Sequence, residues 1–163
     1  MSEAVLSIGS NVGDRLAALQ SAADAHRPWL RAVSPVYETA PWGHVPQDDY
    51  LNAVLLVADA IAAPHDWLVR AHAAEDAAGR TRDVRWGPRT LDVDVVAVDD
   101  VVSDDPELTL PHPRAARRAF VLVPWTAIAP DAALAGVPIA TLLAALPADD
   151  VAGVRARPDL VVT

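Results

Sequence analysis

The hydrophobic residues of this chain fall into short runs that predict the strands of a sheet. Strands are typically runs rich in apolar and β-branched residues, bounded by Gly, Pro, Asn or Asp. The runs that fit this description lie at residues 4–8, 33–37, 50–57 and 91–98. The last run is apolar on both faces beyond its first residues, which is typical of a strand that is buried in a sheet.

A longer spacing of hydrophobic residues predicts a helix between the first two strands. Residues 9–11 are expected to supply a turn and a helix N-cap. The apolar stripe that follows, Leu16, Leu19 and Ala23, recurs with the spacing of one helix face. This helix is expected to end near His26, because the proline two residues later cannot continue it.

The second helix completes a recognisable order of elements. It is predicted over residues 65–78, because Pro64 favours a helix start and Gly79 a helix end. The order β-α-β-β-α-β is the ferredoxin-like plan, so we expect an α+β fold with a mainly antiparallel sheet and helices packed on it. A chain of 163 residues is long enough for one core, and residues 1–163 are expected to form a single domain.

The hydrophobic pattern is weaker after the fourth strand. A short return strand is predicted at residues 101–102 and an extended link at residues 110–113. Helices are predicted from about Arg114 and over residues 138–146. The tail from Pro147 shows no clear period, and no element is assigned to it.

Two carboxylates at the start of the fourth strand are the first indication of chemistry. Side chains at i and i+2 share a face, so Asp92 and Asp94 should lie side by side, followed on that face by Val96 and Val98. The opposite face should be apolar, with Leu91, Val93, Val95 and Ala97. Neighbouring carboxylates repel each other and resist desolvation, and Mg²⁺ offsets both costs because it prefers hard oxygen ligands. A D-x-D pair alone is a weak signal, since such pairs more often lie on solvated edges.

The charge distribution strengthens this interpretation. The formal net charge is −9, yet the 13 basic residues, all arginine, include two local groups. These groups are Arg80, Arg82, Arg85 and Arg89 before the strand and Arg114, Arg117 and Arg118 after it. Arginine offers phosphate a planar and permanently charged fork. Two cationic clusters in an acidic chain predict a polyphosphate ligand and argue against long nucleic acid, which requires a broad basic face.

Composition also excludes several classes of protein. No apolar run reaches the roughly 18–20 residues that a membrane span requires. The first residues show neither the basic nor the apolar region of a secretory signal. The chain has no cysteine, which excludes disulfides, iron–sulfur clusters and thiol catalysis. We therefore expect a cytoplasmic protein that does not bind a membrane.

Several sequence blocks, in a fixed order, carry a resemblance to a known enzyme family. The most specific block is RWGPRTLDVD at residues 85–94. The others are residues 8–11 (IGSN), 34–39 (SPVYET), 49–52 (DYLN), 75–82 and 110–120. Over about residues 4–131, the chain resembles the 6-hydroxymethyl-7,8-dihydropterin pyrophosphokinases of folate biosynthesis. The resemblance implies a ferredoxin-like α+β enzyme that moves a pyrophosphoryl group from ATP to the hydroxymethyl oxygen of the pterin and releases AMP.

Matching positions then imply the residues that handle ATP. Asp92 and Asp94 would hold two Mg²⁺ ions on the phosphates, and Arg80 and Arg89 would attend the transferring groups. Two metals can clamp the attacking and leaving oxygens, so such chemistry is mostly positioning and charge neutralisation. The implied ATP contacts are Glu75, Arg82, Trp86, Arg89, Val95, Thr109, His112 and Arg118.

The second substrate is a flat and polar heterocycle, which needs aromatic faces for stacking and fixed hydrogen bonds at its edge. Tyr50 and Phe120 match the residues that sandwich the pterin, and Asn52 can donate and accept at its edge. The full implied pterin set is Thr39, Ala40, Trp42, Tyr50, Asn52, Trp86, Asp92 and Phe120. Both substrates are small molecules, and the protein is expected to act as a monomer.

Two other functions stay open at this point. The chain could be a catalytically silent nucleotide-binding module of ferredoxin-like fold, although such a relative should have lost Asp92, Asp94 or Arg89. It could also be a scaffold for a small anion, which would leave the pterin residues without a shared purpose. The departures from the family pattern are His72, Glu107, Pro113 and a shorter loop between Arg80 and Trp86.

Overall fold

The computed structural model describes residues 2–41, 46–79 and 90–163, and a six-stranded sheet lies at the centre of this part of the chain. Its strands are β1 (Ser2–Ser10), β2 (Leu30–Val33), β3 (Tyr37–Thr39), β4 (Tyr50–Asp59), β5 (Asp92–Val98) and β10 (Arg155–Ala156). The main order is β10-β3-β4-β1-β5, and β2 also pairs with β4. All of these pairings are antiparallel.

Helices cover both faces of the sheet. The helices are α1 (Arg15–Ala25), α2 (Pro64–Ala77), α3 (Ala119–Ile128), α4 (Ile139–Ala144) and α5 (Ala148–Ala152), with 3-10 turns at Arg27–Trp29 and Ala115–Arg117. One core cluster packs Leu6 and Ile8 of the sheet against α1 and against Trp67 of α2. A second cluster packs Val54 and Val96, on the other face, against α3 and α4.

Two small hairpins complete the fold. They are β6 (Ser103–Asp105) with β7 (Leu108–Leu110), and β8 (Ala133–Leu134) with β9 (Val137–Pro138). The order of the main elements confirms the predicted α+β, ferredoxin-like plan with a mainly antiparallel sheet. In the part of the chain that the structure describes, no helix combines the length and the apolar character that a membrane crossing requires.

The predicted second strand at residues 33–37 is wrong. The structure has two short strands there, β2 and β3, separated by residues 34–36. Ser34 interrupts the ladder, because its Oγ accepts from the Val54 N–H at 2.8 Å while its own N–H donates to the Val54 carbonyl at 2.9 Å. Pro35 follows and has no N–H to donate, so regular pairing resumes only at Tyr37.

Two predicted turns also differ in position. The N-cap of α1 is Asp14, whose Oδ1 accepts from the Ala17 N–H at 3.0 Å, and not residues 9–11. The return strand predicted at residues 101–102 is absent from the described structure, and the hairpin forms later, at β6 and β7. Asp99 explains this, since its backbone N–H and its Oδ1 both bond to Glu3 and direct the chain into a turn.

Candidate active site

The predicted carboxylates lie on β5, in register with polar residues of two neighbouring strands. Asp92 pairs with Gly9 of β1, and Gly9 pairs with Asn52 of β4, so the three residues form one row across the sheet. Ser7 pairs with Asp94 in the next row along. Directly paired residues point to the same face, and both aspartates are half-buried. The predicted common face of Asp92 and Asp94 is therefore confirmed.

The faces predicted for the end of this strand are partly wrong. Val96 packs under α3, on the face of the aspartates, as expected. Ala97, however, packs against that same cluster, whereas Val98 belongs to the opposite one. The cause is a register shift against β1 that leaves Val96 as an extra residue between two paired ones. Such a bulge reverses the alternation of side chains from that point.

Gly9 has no side chain, and its neighbours Asn52 and Tyr50 occupy the space that a side chain would fill. A Cβ atom built on Gly9 would lie 3.2 Å from Asn52 Oδ1 and 3.4 Å from Tyr50 Cδ1. The shorter distance is tighter than ordinary van der Waals contact. The side chains of Asn52 and Tyr50 therefore extend over Gly9, toward the strand that carries Asp92.

The pterin residues predicted on β3 and β4 come together on this face. Thr39 pairs with Tyr50, and the buried Asn52 donates from Nδ2 to Thr39 Oγ1 at 2.7 Å. This bond orients the amide, with Nδ2 toward β3 and Oδ1 toward Gly9. Ala40 follows directly and is exposed.

Helix α3 lies over the same face and brings two more predicted residues to it. Leu122 and its neighbours pack against Val54 and Val96, which fixes the helix on the sheet. Phe120 is half-buried at the margin of this cluster. Arg118 is the N-cap residue of the helix, and its Cζ lies 5.4 Å from the centroid of the Phe120 ring.

The charge of Arg118 faces the carboxylates. The residue is only 7% exposed, and its Nη1 lies 3.6 Å from Asp94 Oδ2. Burial lowers the pKa of Arg118, whereas Asp94 acts in the opposite direction. Arginine nevertheless stays charged, because its ordinary pKa is so high. Its Nε is buried without a hydrogen-bond partner among the described residues, which suits an incoming anionic acceptor.

His112 is tied to the bulge of β5. Its backbone N–H donates to the Val96 carbonyl at 2.8 Å, and its Nδ1 accepts from the Arg114 N–H at 3.1 Å. Burial first, and then the charges of Arg118 and Arg114, lower the pKa of His112 to about 4, against a smaller opposite effect of Asp92. The ring is therefore neutral near pH 7, with its proton on Nε2, where it can be donated.

Three predicted ATP contacts lie farther from the carboxylate face. Glu75 is buried on α2, and its Oε2 accepts from the Val93 N–H on β5 at 2.9 Å. The Val95 side chain lies in the core cluster on the opposite face of the sheet, so the structure does not bring it to the aspartates. Thr109 lies on the β6–β7 hairpin, where its Oγ1 donates to the Asp105 carbonyl at 3.0 Å.

The remaining predicted site residues lie outside the described part of the chain: Trp42, Arg80, Arg82, Trp86 and Arg89. Within residues 2–41, 46–79 and 90–163, no group of three or more His, Cys, Asp or Glu residues could hold a metal. Asp92 and Asp94 thus offer two carboxylates on one face. That donor set fits Mg²⁺, which commonly binds one or two protein carboxylates and takes its other ligands from water and phosphates.

The sequence-based reasoning missed the place of two residues on this face, Ser7 and Gly9. Ser7 lies in an apolar run, and Gly9, although part of the IGSN block, is predicted in a turn, whereas the structure places it within β1. Ser7 is 5% exposed and separates Val54 from Asp94, and Gly9 separates Asn52 from Asp92. The signal is the pairing register, which depends on strands far apart in the sequence.

Comparison with known proteins matches residues 5–130 to the family described as 7,8-dihydro-6-hydroxymethylpterin-pyrophosphokinase, or HPPK. A relative from Mycobacterium tuberculosis H37Rv is named 2-amino-4-hydroxy-6-hydroxymethyldihydropteridine pyrophosphokinase. It is 51% identical over 163 residues, with 91% of this chain and 87% of the relative covered. A relative of the same name from Methylorubrum extorquens is 43% identical over 150 residues, with coverages of 90% and 94%.

Solved structures with a similar fold include HPPK-DHPS from Plasmodium falciparum. The A437G form with SDX-DHP has a TM-score of 0.68 and 14% sequence identity, and the match covers 86% of the present chain. The present chain spans only 44% of that longer chain. This likeness establishes the fold.

Proposed function

The chain belongs to the 7,8-dihydro-6-hydroxymethylpterin-pyrophosphokinase family, and we propose from this premise that Asp92 and Asp94 form the centre of its active site. The enzyme transfers a pyrophosphoryl group from ATP to the hydroxymethyl group of 6-hydroxymethyl-7,8-dihydropterin, in folate biosynthesis. The observation that carries the proposal is the row Asn52–Gly9–Asp92, which brings a heterocycle-binding amide and a metal-binding carboxylate to one face.

Asp92 and Asp94 would hold the divalent metal that a kinase of this kind requires. Two Mg²⁺ ions, when bound, would neutralise phosphate charge and hold the attacking and leaving oxygens. The support is the donor set, two half-buried carboxylates on one face, beside Arg118. The carboxylates would hold the metal at a defined place on the sheet, because their positions are fixed by the pairing with β1.

Arg118 and His112 would contact the phosphates from the side of α3. Arg118 supplies a permanent positive charge, and its buried Nε–H has no acceptor in the described structure. Neutral His112 supplies a hydrogen bond from Nε2 without adding charge. Arg80 and Arg89 are assigned to the transferring groups on the family resemblance alone.

The pterin would lie beside Asn52, between Tyr50 and Phe120. Gly9 has no side chain and so leaves room for Asn52 and Tyr50 to extend toward Asp92. Asn52 Oδ1 would accept from the amino edge of the pterin, since Thr39 already accepts from Nδ2. The hydroxymethyl group would then point along the row to Asp92, the proposed metal ligand.

Two further assignments complete the proposal. The enzyme would act as a monomer, and the support is that Asn52, Asp92 and Arg118, on β4, β5 and the start of α3, come together within one chain. It would be cytoplasmic, because it consumes ATP and contains no cysteine.

The function is tested by incubating the protein with ATP, Mg²⁺ and the hydroxymethyldihydropterin and measuring AMP. AMP should form together with the pterin diphosphate, and it should not form when the pterin is omitted. Nucleotide binding by calorimetry without any AMP would contradict the proposal and support the silent module instead.

A further inference from the structure

The C-terminal residues extend the central sheet, although they lie beyond the segment that matches the family. The matched segment ends at residue 130. Residues 155–163, here called the C-terminal strap, begin with β10, which pairs with β3 at the sheet edge. The Arg157 N–H donates to the Val36 carbonyl at 2.9 Å. The last residue, Thr163, accepts from the side chains of Gln20 and Arg27 at 2.8 and 2.6 Å.

Two arginines of the strap bind two carboxylates that lie beside the pterin residues. Arg155 donates to Asp49 Oδ2 at 2.9 Å, and Arg157 donates to Glu38 Oε1 at 3.0 Å. Arg15 of α1 binds the same two residues. It donates to Glu38 Oε2 at 2.6 Å and to the backbone carbonyl of Asp49 at 3.1 Å. Arg15 first, and then Arg157, hold the pKa of Glu38 below its usual value, so Glu38 is ionised near neutral pH.

These two carboxylates mark the ends of one connection. Glu38 directly precedes Thr39 at the end of β3, and Asp49 directly precedes Tyr50 at the start of β4. Neighbouring strand residues point to opposite faces, so when Glu38 is fixed on one face, Thr39 is presented on the other. The strap thus fixes both ends of the segment between β3 and β4, from the face opposite to the pterin.

We propose that the C-terminal strap is a positioning element for the pterin subsite, in which Arg155 and Arg157 set the places of Thr39 and Tyr50 through Asp49 and Glu38. This inference rests on the proposed function for its kinetic consequence. A connection whose ends are already fixed loses less conformational freedom when the substrate binds, so the strap raises affinity for the pterin. None of the implied ATP contacts belongs to the strap or to the connection between β3 and β4, so affinity for ATP is unaffected.

The Arg155–Asp49 ion pair suits this role because it is exposed. Arg155 and Asp49 have 55% and 43% of their side chains exposed. Exposed pairs contribute little to global stability. Loss of Arg155 should therefore disturb the local connection without unfolding the protein, which separates positioning from a general structural role.

The test compares Arg155→Gln with Arg27→Gln in the full chain. Arg27 is the matched control, because it binds the end of the same strap through exposed contacts at a distance from the connection. Arg155→Gln should raise the KM for the pterin about two- to fivefold, as expected for one exposed ion pair. The kcat and the KM for ATP should not change, and Arg27→Gln should behave as wild type in all three constants. Equal effects on both substrates, or no effect on the pterin, would overturn the proposal.

A second measurement needs no activity. Amide hydrogen exchange over residues 46–52 should be faster in ligand-free Arg155→Gln than in wild type and Arg27→Gln. Unchanged exchange would also overturn the proposal. If the wild type produced no AMP, the proposed function would fail, and hydrogen exchange alone would then decide whether the strap positions this connection.

Discussion

At the scale of single residues, one hydrogen bond sets the orientation of the Asn52 side chain in the proposed site. Asn52 can present either its oxygen or its nitrogen to a ligand, and its bond to Thr39 selects the oxygen. The bond is made by Nδ2, on the side of the amide away from Gly9, so it can be removed by a substitution that keeps the volume of residue 39.

Thr39→Val tests this selection because it removes the acceptor and keeps the volume. Affinity for the pterin should fall by about 1 kcal/mol, the usual value of one hydrogen bond. Thr126→Val is the matched control, because Thr126 Oγ1 is buried without a partner in the described structure and its loss breaks no bond. Titration calorimetry with the pterin measures both variants. Equal affinities in Thr39→Val and wild type would show that Thr39 does not orient the amide.

A second residue-scale prediction concerns His26 and acid stability. His26 is fully buried, its Nδ1 bonds to the Ala22 carbonyl at 2.8 Å, and its Nε2 has no partner among the described residues. Burial lowers the pKa of His26 below 6.5, the bond to Ala22 opposes this, and Arg70 adds to the lowering. Just below pH 6.5, His26 is therefore protonated in the unfolded chain but neutral in the folded protein.

The free energy of unfolding should accordingly be highest above pH 6.5 and fall as the pH decreases from there toward the folded pKa of His26. Urea unfolding at one pH on each side of 6.5 measures the difference. His26→Leu cannot bind the proton, so the difference should be smaller in this variant. An identical pH dependence in the two proteins would exclude His26 as the cause.

At the scale of elements, α3 joins the proposed ATP and pterin sites, because Arg118 and Phe120 at its start lie over the face of the aspartates. The element can do this because Leu122 and Trp125 bury its other side against the sheet. Its position is therefore rigid, and the consequences of truncating Phe120 should be local.

Phe120→Ala should weaken pterin binding by about 1–3 kcal/mol through lost burial and stacking. ATP binding should change much less, since Arg118 keeps its backbone position. Ile128→Ala is the control, because Ile128 packs against the same cluster at the other end of α3. It should lower stability without a change in pterin affinity. If Phe120→Ala weakened both ligands equally in calorimetry, Phe120 would be an ordinary core residue.

The elements also show where sequence patterns reach their limit. The shared face of Asp92 and Asp94 follows from a two-residue period, which any regular strand obeys. The bulge at Val96 cannot be predicted from this period, because it arises from the pairing with β1 and not from the sequence of β5. The split at Ser34 arises likewise from a side chain that replaces a carbonyl in the ladder.

At the scale of the whole molecule, the fold could be predicted from the order of strands and helices, whereas the C-terminal tail could not. Strand β10 has two residues, both exposed, and it is held by backbone pairing with β3 and by the ion pair of Arg155 with Asp49. No hydrophobic period can indicate such a strand. The polar rows across the sheet could not be predicted for a related reason. The positions of Ser7 and Gly9 in the site depend on their partners on β4 and β5, which are far away in the sequence.

The most direct test of the whole account is the initial rate of AMP formation as a function of Mg²⁺ concentration in wild type and Asp94→Asn. Asparagine keeps the size of the side chain but removes the charge that is proposed to bind the metal. The rate should be at least ~100-fold lower in the variant, given the size of such electrostatic contributions, and circular dichroism should show a folded protein. Asp100→Asn, which changes an exposed carboxylate just after the same strand, should match wild type. A near-normal rate from Asp94→Asn at saturating Mg²⁺ would contradict the assignment of the active site to this face of the sheet.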